Sequence, residues 1–170
     1  SYVETTTYGT KGRAGQIARF EPEFGTLAWA TVINACSTVY GNGIHDIAVD
    51  GQGNLYATGT TKATTTTNCV APTSVAMPIC DPNSGSSSDY YQPALAGQSD
   101  AFILRFNSAS ELTWGTYFGG AGKDYGCSIT IDPISQNLYL VGRTQSPRIG
   151  NPSCVAPTNG SFPLCDANGY

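Results

Sequence analysis

Hydrophobic and polar residues alternate with a period of two along short segments of this chain, a pattern typical of β-strands. In residues 100–107, Phe102, Leu104 and Phe106 fall on one face of an extended strand, and Ala101 and Ile103 fall on the other. Three more segments are rich in β-forming residues: Leu112–Phe118, Cys127–Asp132 and Asn137–Thr144. Turn residues, as in Asp50–Asn54 and Asp132–Asn137, separate such runs. The pattern predicts a sheet of four antiparallel strands joined by hairpins.

The chain also repeats itself with an offset close to 85 residues, half of its length of 170. Cys69–Thr73 returns as Cys154–Thr158, and Trp29 returns as Trp114. A fixed period of tens of residues is typical of repeat architectures. We therefore expect one repeat domain over residues 1–170, made of approximate repeats 1–85 and 86–170, with cysteine-containing loop insertions at 62–99 and 145–170.

Composition narrows the possible partners. Only 12% of the residues are charged, the net charge is −4, and the basic residues do not cluster. Nucleic-acid binding is disfavoured, because the neutralisation of phosphates needs concentrated positive charge. No apolar run approaches the ~18 residues of a membrane span.

Four of the six cysteines lie in two matching loops, where ten residues separate Cys69 from Cys80 and Cys154 from Cys165. This spacing favours two local disulfides, and disulfides indicate export to an oxidising compartment. Zinc is the alternative, although the loops lack the close cysteine pairs and histidines of zinc sites. The insertion at 62–99 is polar and rich in proline, so we expect a surface loop outside the core.

Several motifs of the second repeat resemble the bacterial SBBP β-propeller repeat. They are Asp100-Ala101-Phe102, Thr116-Tyr117-Phe118-Gly119-Gly120, Ile129-Thr130-Ile131-Asp132 and Asn137–Thr144. The first repeat is a degenerate copy that keeps Ile47–Asp50 and Gly53–Tyr56. The resemblance implies four-stranded antiparallel blades, with the Ile-Ala-Val-Asp segment innermost and the Tyr-Phe-Gly-Gly segment outermost.

Under this strand order, the chain holds one complete blade flanked by two half-blades. The outer strands of the first half-blade are Gly15–Pro22 and Thr26–Ile33, and the inner strands of the last are Cys127–Asp132 and Asn137–Thr144. The complete blade takes Asp46–Asp50, Asn54–Thr61, Asp100–Asn107 and Leu112–Phe118. We therefore expect an all-β, β-propeller-type fold with disulfide-stapled loops.

Each half-blade leaves an unpaired strand edge, where another chain can pair. The two edges are complementary, so we expect copies to join head to tail as a ring or a fibre. The expected edge residues are Ile17, Arg19, Phe20, Leu138, Leu140 and Val141. The predicted function is that of a structural subunit, without enzymatic activity, in an extracellular or cell-surface fibre, ring or surface layer.

The alternative function is a secreted ligand-binding or adhesive propeller, with glycans as possible partners. Its binding surface would be the cysteine loops, with Tyr90 and Tyr91 as a ligand-facing aromatic pair. Trp29 and Trp114 share a repeat position, which favours packing between blades over a sugar platform.

The remaining candidates for chemistry are few. His45 is the sole histidine, and we expect a rim or turn residue rather than a catalytic base. Cys36 and Cys127, near the starts of consecutive inner strands, predict a bridge between blades, with two buried thiols as the alternative. No cofactor is expected. Calcium is a minor alternative to solvated turn carboxylates at Asp46, Asp50, Asp124 and Asp132.

Overall fold

The structure, a computed structural model, describes residues 14–23, 25–33, 43–66, 77–79, 91–147, 150–151 and 160–165. These residues form twelve strands and no helix: β1 (Gly15–Phe20), β2 (Leu27–Ile33), β3 (Gly43–Val49), β4 (Leu55–Thr61), β5 (Thr65–Thr66), β6 (Met77–Pro78), β7 (Asp100–Phe106), β8 (Leu112–Phe118), β9 (Asp124–Ile131), β10 (Leu138–Thr144), β11 (Gly150–Asn151) and β12 (Leu164–Cys165). Among the described residues there is no helix of the length and apolarity that a membrane span requires.

The centre of the fold is one four-stranded antiparallel sheet in the order β3-β4-β7-β8. These are the four strands predicted for the complete blade, and the prediction is confirmed. Successive strands alternate in direction because short turns connect β3 to β4 and β7 to β8. In the first of these turns, the carboxylate of Asp50 accepts hydrogen bonds from the amides of Gln52 and Asn54.

Two hairpins flank the central sheet, as the half-blade prediction requires. One pairs β1 with β2, and the other pairs β9 with β10. β3 begins at Gly43 and β9 at Asp124, each three residues earlier than the sequence pattern indicated.

The earlier strand starts correct three expectations. His45 was expected at a rim or turn, but it lies inside β3. Asp46 and Asp124 were expected in turns, but they lie in β3 and β9. A strand can extend over such polar residues because groups of a neighbouring strand form hydrogen bonds with their side chains. Sequence periodicity does not reveal these hydrogen-bond partners.

The two faces of the central sheet are covered by different hairpins. We call the face that carries Phe102, Leu104 and Phe106 the front face, and the opposite face, which carries Ala101 and Ile103, the back face. Three side chains of the β1–β2 hairpin join the front-face core: Ile17, Trp29 and Ile33. Strand β9 packs on the back face, where its Ile129 is buried. Three layers of sheet therefore follow one another in chain order.

Part of the insertion at 62–99 belongs to the core, and here the expectation of a surface loop was wrong. Ala63, Met77 and Ile79 are buried in the main hydrophobic cluster. The hydroxyl of Tyr117 donates a hydrogen bond to the backbone oxygen of Ala63 at 2.8 Å. Sparse apolar residues in a polar segment can pack in this way once a distant sheet provides the surface.

Each cysteine loop is bracketed by a short parallel pairing. Thr66 lies opposite Pro78, and Asn151 lies opposite Cys165. Cys69, Cys80 and Cys154 lie outside the described residues, so the two loop disulfides stay predictions. The pairings bring the two ends of each loop together, as a local disulfide would require.

Candidate functional site

The edges of the two half-blades lack the neighbours that the complete blade has. Among the described strands, β1 pairs only with β2, and β10 pairs only with β9. In the complete blade, β4 pairs with β7 over seven residues, from Leu55 opposite Phe106 to Thr61 opposite Asp100. By the internal repeat, β10 corresponds to β4, and β1 corresponds to β7. The two edges therefore hold the repeat positions that pair with each other in the complete blade.

Burial differs sharply between equivalent positions of the two repeats. Ile47 of β3 is 47% exposed, whereas Ile129, its counterpart in β9, is 4% exposed. Ile129 packs on the back face of the preceding sheet, and β3 has no described inner strand over its front face. Ile47 is therefore exposed where the described residues place no inner strand over the front face of β3.

A second comparison concerns the outer strands. Phe20 is 56% exposed, and its counterpart Phe106 is 1% exposed. Leu27 is likewise exposed where its counterpart Leu112 is buried. Phe106 is covered because the ring of Trp29, from the hairpin before it, lies 5.5 Å away between centroids. The exposed residues thus mark positions that a preceding blade covers elsewhere in the same chain.

The front-face contact also has a polar part. Nη1 of Arg19, on β1, donates a hydrogen bond to the backbone oxygen of Ser108 in the β7–β8 turn at 3.2 Å. Together with the tilted contact between the rings of Trp29 and Phe106, this bond ties the outer strands of one blade to those of the next.

On the back face, polar contacts join two successive inner strands. Oδ2 of Asp46 accepts hydrogen bonds from Oγ of Ser128 at 2.6 Å and from the amide of Ile129 at 2.9 Å. These bonds, with that of Ser128 the largest cause, lower the pKa of Asp46 below its ordinary value. Nδ1 of His45 lies 2.6 Å from the backbone oxygen of Gly126, so its N–H donates there. His45 therefore takes part in contact between blades.

A cleft of about 320 Å³ lies beside the free edge of β10. Its walls come from the back face of the central sheet, from β10 and from the last described loop. Residues lining it include Ala101, Phe118, Leu140, Arg143 and Phe162. Phe118 and Phe162 meet edge to face, with 5.2 Å between their centroids. The outer strands of a third blade would occupy this place, because β1 and β2 occupy the corresponding place on the front face.

Two buried carboxyl groups meet near Gly119. Oδ2 of Asp100 accepts hydrogen bonds from Nε2 of Gln92 at 2.6 Å and from the amide of Ala96 at 2.9 Å. Oδ1 of Asp100 and Oδ1 of Asp124 are buried without a hydrogen-bond partner among the described residues. Burial, with a smaller contribution from the charge of Asp124, raises the pKa of Asp100 to about 6. This pair lies at the junction of β7 and β9 and is a structural feature of the blade.

The predicted edge residues lie on β1 and β10 as expected, but they face different surroundings. Ile17 is buried against the central sheet, whereas Phe20 and Val141 are exposed. Arg19 contacts the next blade through Ser108. Leu138 and Leu140 are half-buried.

Other predicted site residues are not gathered into one place. Tyr90 and Cys36 lie outside the described residues. The ring of Tyr91 packs on Phe118 with 5.8 Å between centroids, and burial raises its pKa. Cys127 is a free, exposed cysteine. Because its expected partner is not described, the bridge between Cys36 and Cys127 stays a prediction.

The acidic residues considered for calcium are also dispersed. Asp50 and Asp132 lie in separate turns, Asp46 joins two blades, and Asp124 is buried beside Asp100. Within the described part of the chain, no group of three or more His, Cys, Asp or Glu side chains is placed to hold a metal ion.

Sequence reasoning missed part of the candidate surface. Leu27, Ile47, Val49 and Tyr139 are exposed apolar residues on the hairpins or on the open side of β3. Alternation alone marked these positions as apolar, without indicating which would be covered. A comparison of each position with its counterpart in the other repeat would have identified them once the half-blades were assigned.

Comparison with known families gives two matches. The SBBP beta-propeller repeat matches residues 37–64 and residues 113–147. The first match includes the inner strands β3 and β4, and the second runs from β8 through β10. No curated protein matches the chain in sequence.

Proposed function

Because the chain carries two SBBP beta-propeller repeats, we propose that it is a structural subunit whose copies join head to tail by completing blades. The observation that carries this proposal is the pair of complementary half-blades. The β9–β10 hairpin of one copy supplies the inner strands of a blade, and the β1–β2 hairpin of the next copy supplies its outer strands. The assembly is an extracellular fibre, ring or surface layer, built without catalytic machinery.

The complete blade provides a template for the register of this pairing. In the template, Ala57 lies opposite Leu104, and Tyr56 lies opposite Arg105. Transferred through the repeat, the register places Leu140 opposite Ala18 of the next copy. It also places Tyr139 opposite Arg19 of the next copy. Main-chain hydrogen bonds along the two edges provide affinity, and the alternating side chains select the register.

The side chains at this register are compatible with the pairing. In the complete blade, the guanidinium of Arg105 lies 5.9 Å from the ring centre of Tyr56. Arg19 and Tyr139 hold the same two repeat positions, and both are exposed. A cation–π contact between copies would therefore reproduce one that the chain already makes.

Sedimentation velocity over a range of protein concentrations tests the proposal. We expect the intact protein to form species larger than one copy. Adjacent amides of a strand point to opposite edges, so Tyr139→Pro and Leu140→Pro form a matched pair. One of the two removes a donor from the free edge and should abolish assembly with little change in circular dichroism. The other removes a donor from the β9–β10 pairing and should also weaken the hairpin.

Each of the following outcomes would contradict the proposal or a part of it. A protein that stays monomeric at every concentration lacks the assembly function. A monomer that retains a glycan on purification would instead support the ligand-binding alternative. Assembly that survives both proline variants would show that the free edge of β10 is not the joint.

A further inference from the structure

The exposed apolar side chains of this protein lie on two surfaces. Of the seven large apolar residues that are exposed in the described chain, Ile134 lies alone in the β9–β10 turn. We call the first surface the leading patch, and its members are Phe20, Leu27, Ile47 and Val49. The second surface is the trailing patch, and it consists of the cleft beside β10 and of Trp114 on the back face of the central sheet, together with Tyr139 and Val141 on the side of β10 that faces away from that sheet.

The position of Trp114 follows from strand pairing. Trp114 lies directly opposite Arg105 in the register of β7 and β8. Opposed residues project to the same side of a sheet, so Trp114 lies on the back face. It is half-buried, whereas Trp29, at the same position of the preceding hairpin, is buried.

The chain already contains the contact that would join these patches. Trp29 packs against Phe106 across the boundary between the first hairpin and the central sheet, with ring centroids 5.5 Å apart. Through the repeat, Trp29 corresponds to Trp114, and Phe106 corresponds to Phe20. The same pair of residue types is therefore present a second time, with Phe20 on the first hairpin and Trp114 on the central sheet.

We infer that Phe20 of one copy packs against Trp114 of the preceding copy, as a second joint beside the paired strand edges. This inference rests on the proposed function, because the preceding copy must first be placed by the β10 edge. The occupant of the leading patch is thus a second copy of this chain. Leu27 lies next to Phe20 in this contact, as Leu112 lies next to Phe106 within one copy.

Arg105 supports the same arrangement. It holds the repeat position of Arg19, which donates to a turn carbonyl of the following blade. Nε of Arg105 is buried without a hydrogen-bond partner among the described residues. In the assembly, the β1–β2 turn of the next copy comes to the place that the β7–β8 turn takes relative to Arg19. Backbone carbonyls of that turn are acceptors of the required kind.

Tryptophan fluorescence measures this contact without any change to Trp114. The chain has two tryptophans, and Trp29 is already buried within one copy. A shift of the emission maximum towards shorter wavelength on assembly therefore reports the covering of Trp114. We expect the shift in the intact protein as its concentration rises.

Phe20→Ala is the informative variant, because the side chain is exposed and its loss leaves the fold of one copy intact. We expect copies of this variant to associate with one another about 10-fold to 100-fold more weakly than copies of the intact protein, the range of an aromatic interface anchor. We also expect the variant to lose the shift of the tryptophan emission maximum. Ile134→Ala removes an equally exposed apolar side chain outside both patches, and it should assemble as the intact protein does.

The outcomes separate the two proposals. If the intact protein does not assemble at all, the proposed function fails. If it assembles with no emission shift, or if Phe20→Ala assembles as well as Ile134→Ala, blade completion stands, and the contact between Phe20 and Trp114 is refuted.

Discussion

Ser128 donates a hydrogen bond to Asp46 across the boundary between two successive blades, with 2.6 Å between Oγ and Oδ2. The same carboxylate accepts from the amide of Ile129, so a single side chain of β3 holds two successive residues of β9. The contact therefore ties the inner edge of the central sheet to the hairpin that packs on its back face. Three further features of the fold, besides this one, lead to measurable predictions.

We predict that Asp46→Ala lowers the free energy of unfolding by about 1 kcal/mol, since three hydrogen bonds to a partly exposed carboxylate are lost, from Ile47, Ser128 and Ile129. The lowered pKa of Asp46 adds a pH dependence. Its stabilising contribution is present above the ordinary carboxyl pKa of 3.8 and is lost as the pH falls through the lower folded value. Urea unfolding at pH 3 and pH 6 measures both effects. Asp46→Asn should keep most of the stability at pH 6 and lose this acid dependence.

The buried carboxyl of Asp100 predicts the opposite dependence. Its pKa is raised to about 6, chiefly by burial. Between the unfolded value of 3.8 and about 6, the unfolded chain ionises while the folded chain keeps its proton. The free energy of unfolding should therefore fall as the pH rises through this window, by on the order of 2 kcal/mol. We expect Asp100→Asn to remove this fall in urea unfolding between pH 4 and pH 7. An equally steep fall in the variant would contradict the assignment to Asp100.

Gly59 and Gly142 occupy the same repeat position, and each lies against a backbone oxygen of the strand beside it. A Cβ added to Gly59 would collide with the backbone oxygen of Gly43, and one added to Gly142 would collide with that of Tyr125. Because both obstacles are main-chain atoms next to a β-bulge, they cannot move aside. We predict that either change to alanine costs about 2 kcal/mol or more in thermal unfolding. Gly51→Ala, where a Cβ meets nothing within 4 Å, is the matched control and should cost much less.

The cysteine loops predict two disulfides, Cys69–Cys80 and Cys154–Cys165. The short pairing of Thr66 with Pro78 draws together the ends of the first loop, which makes its bridge geometrically reasonable. On the chain-entropy account, each bridge stabilises the fold by about 3 kcal/mol. Peptide mapping without reduction should recover both linkages. Free thiols at these positions, or a metal shared between them, would refute the assignment.

The sequence by itself determined most of the strands, and its resemblance to the SBBP repeat indicated which four of them form the central sheet. Alternation of apolar and polar residues in segments such as Asp100–Phe106 is a local property of an extended chain. The internal repeat gives similar segments in both halves of the sequence. The position of Phe20 as an edge residue followed from the same logic. Strand formation itself needs no knowledge of distant contacts, because main-chain geometry and neighbouring residues produce it.

Only the tertiary structure decided which residues are covered. Ile47 and Ile129 are the same residue at the same repeat position, and their burial differs because, among the described strands, only Ile129 has a preceding inner strand packed against it. Met77 and Ile79 enter the core from a polar insertion, and His45 lies in a strand beside Gly126. Burial is a property of the assembled surface around a residue. Two identical residues at equivalent repeat positions therefore take different environments when their distant neighbours differ.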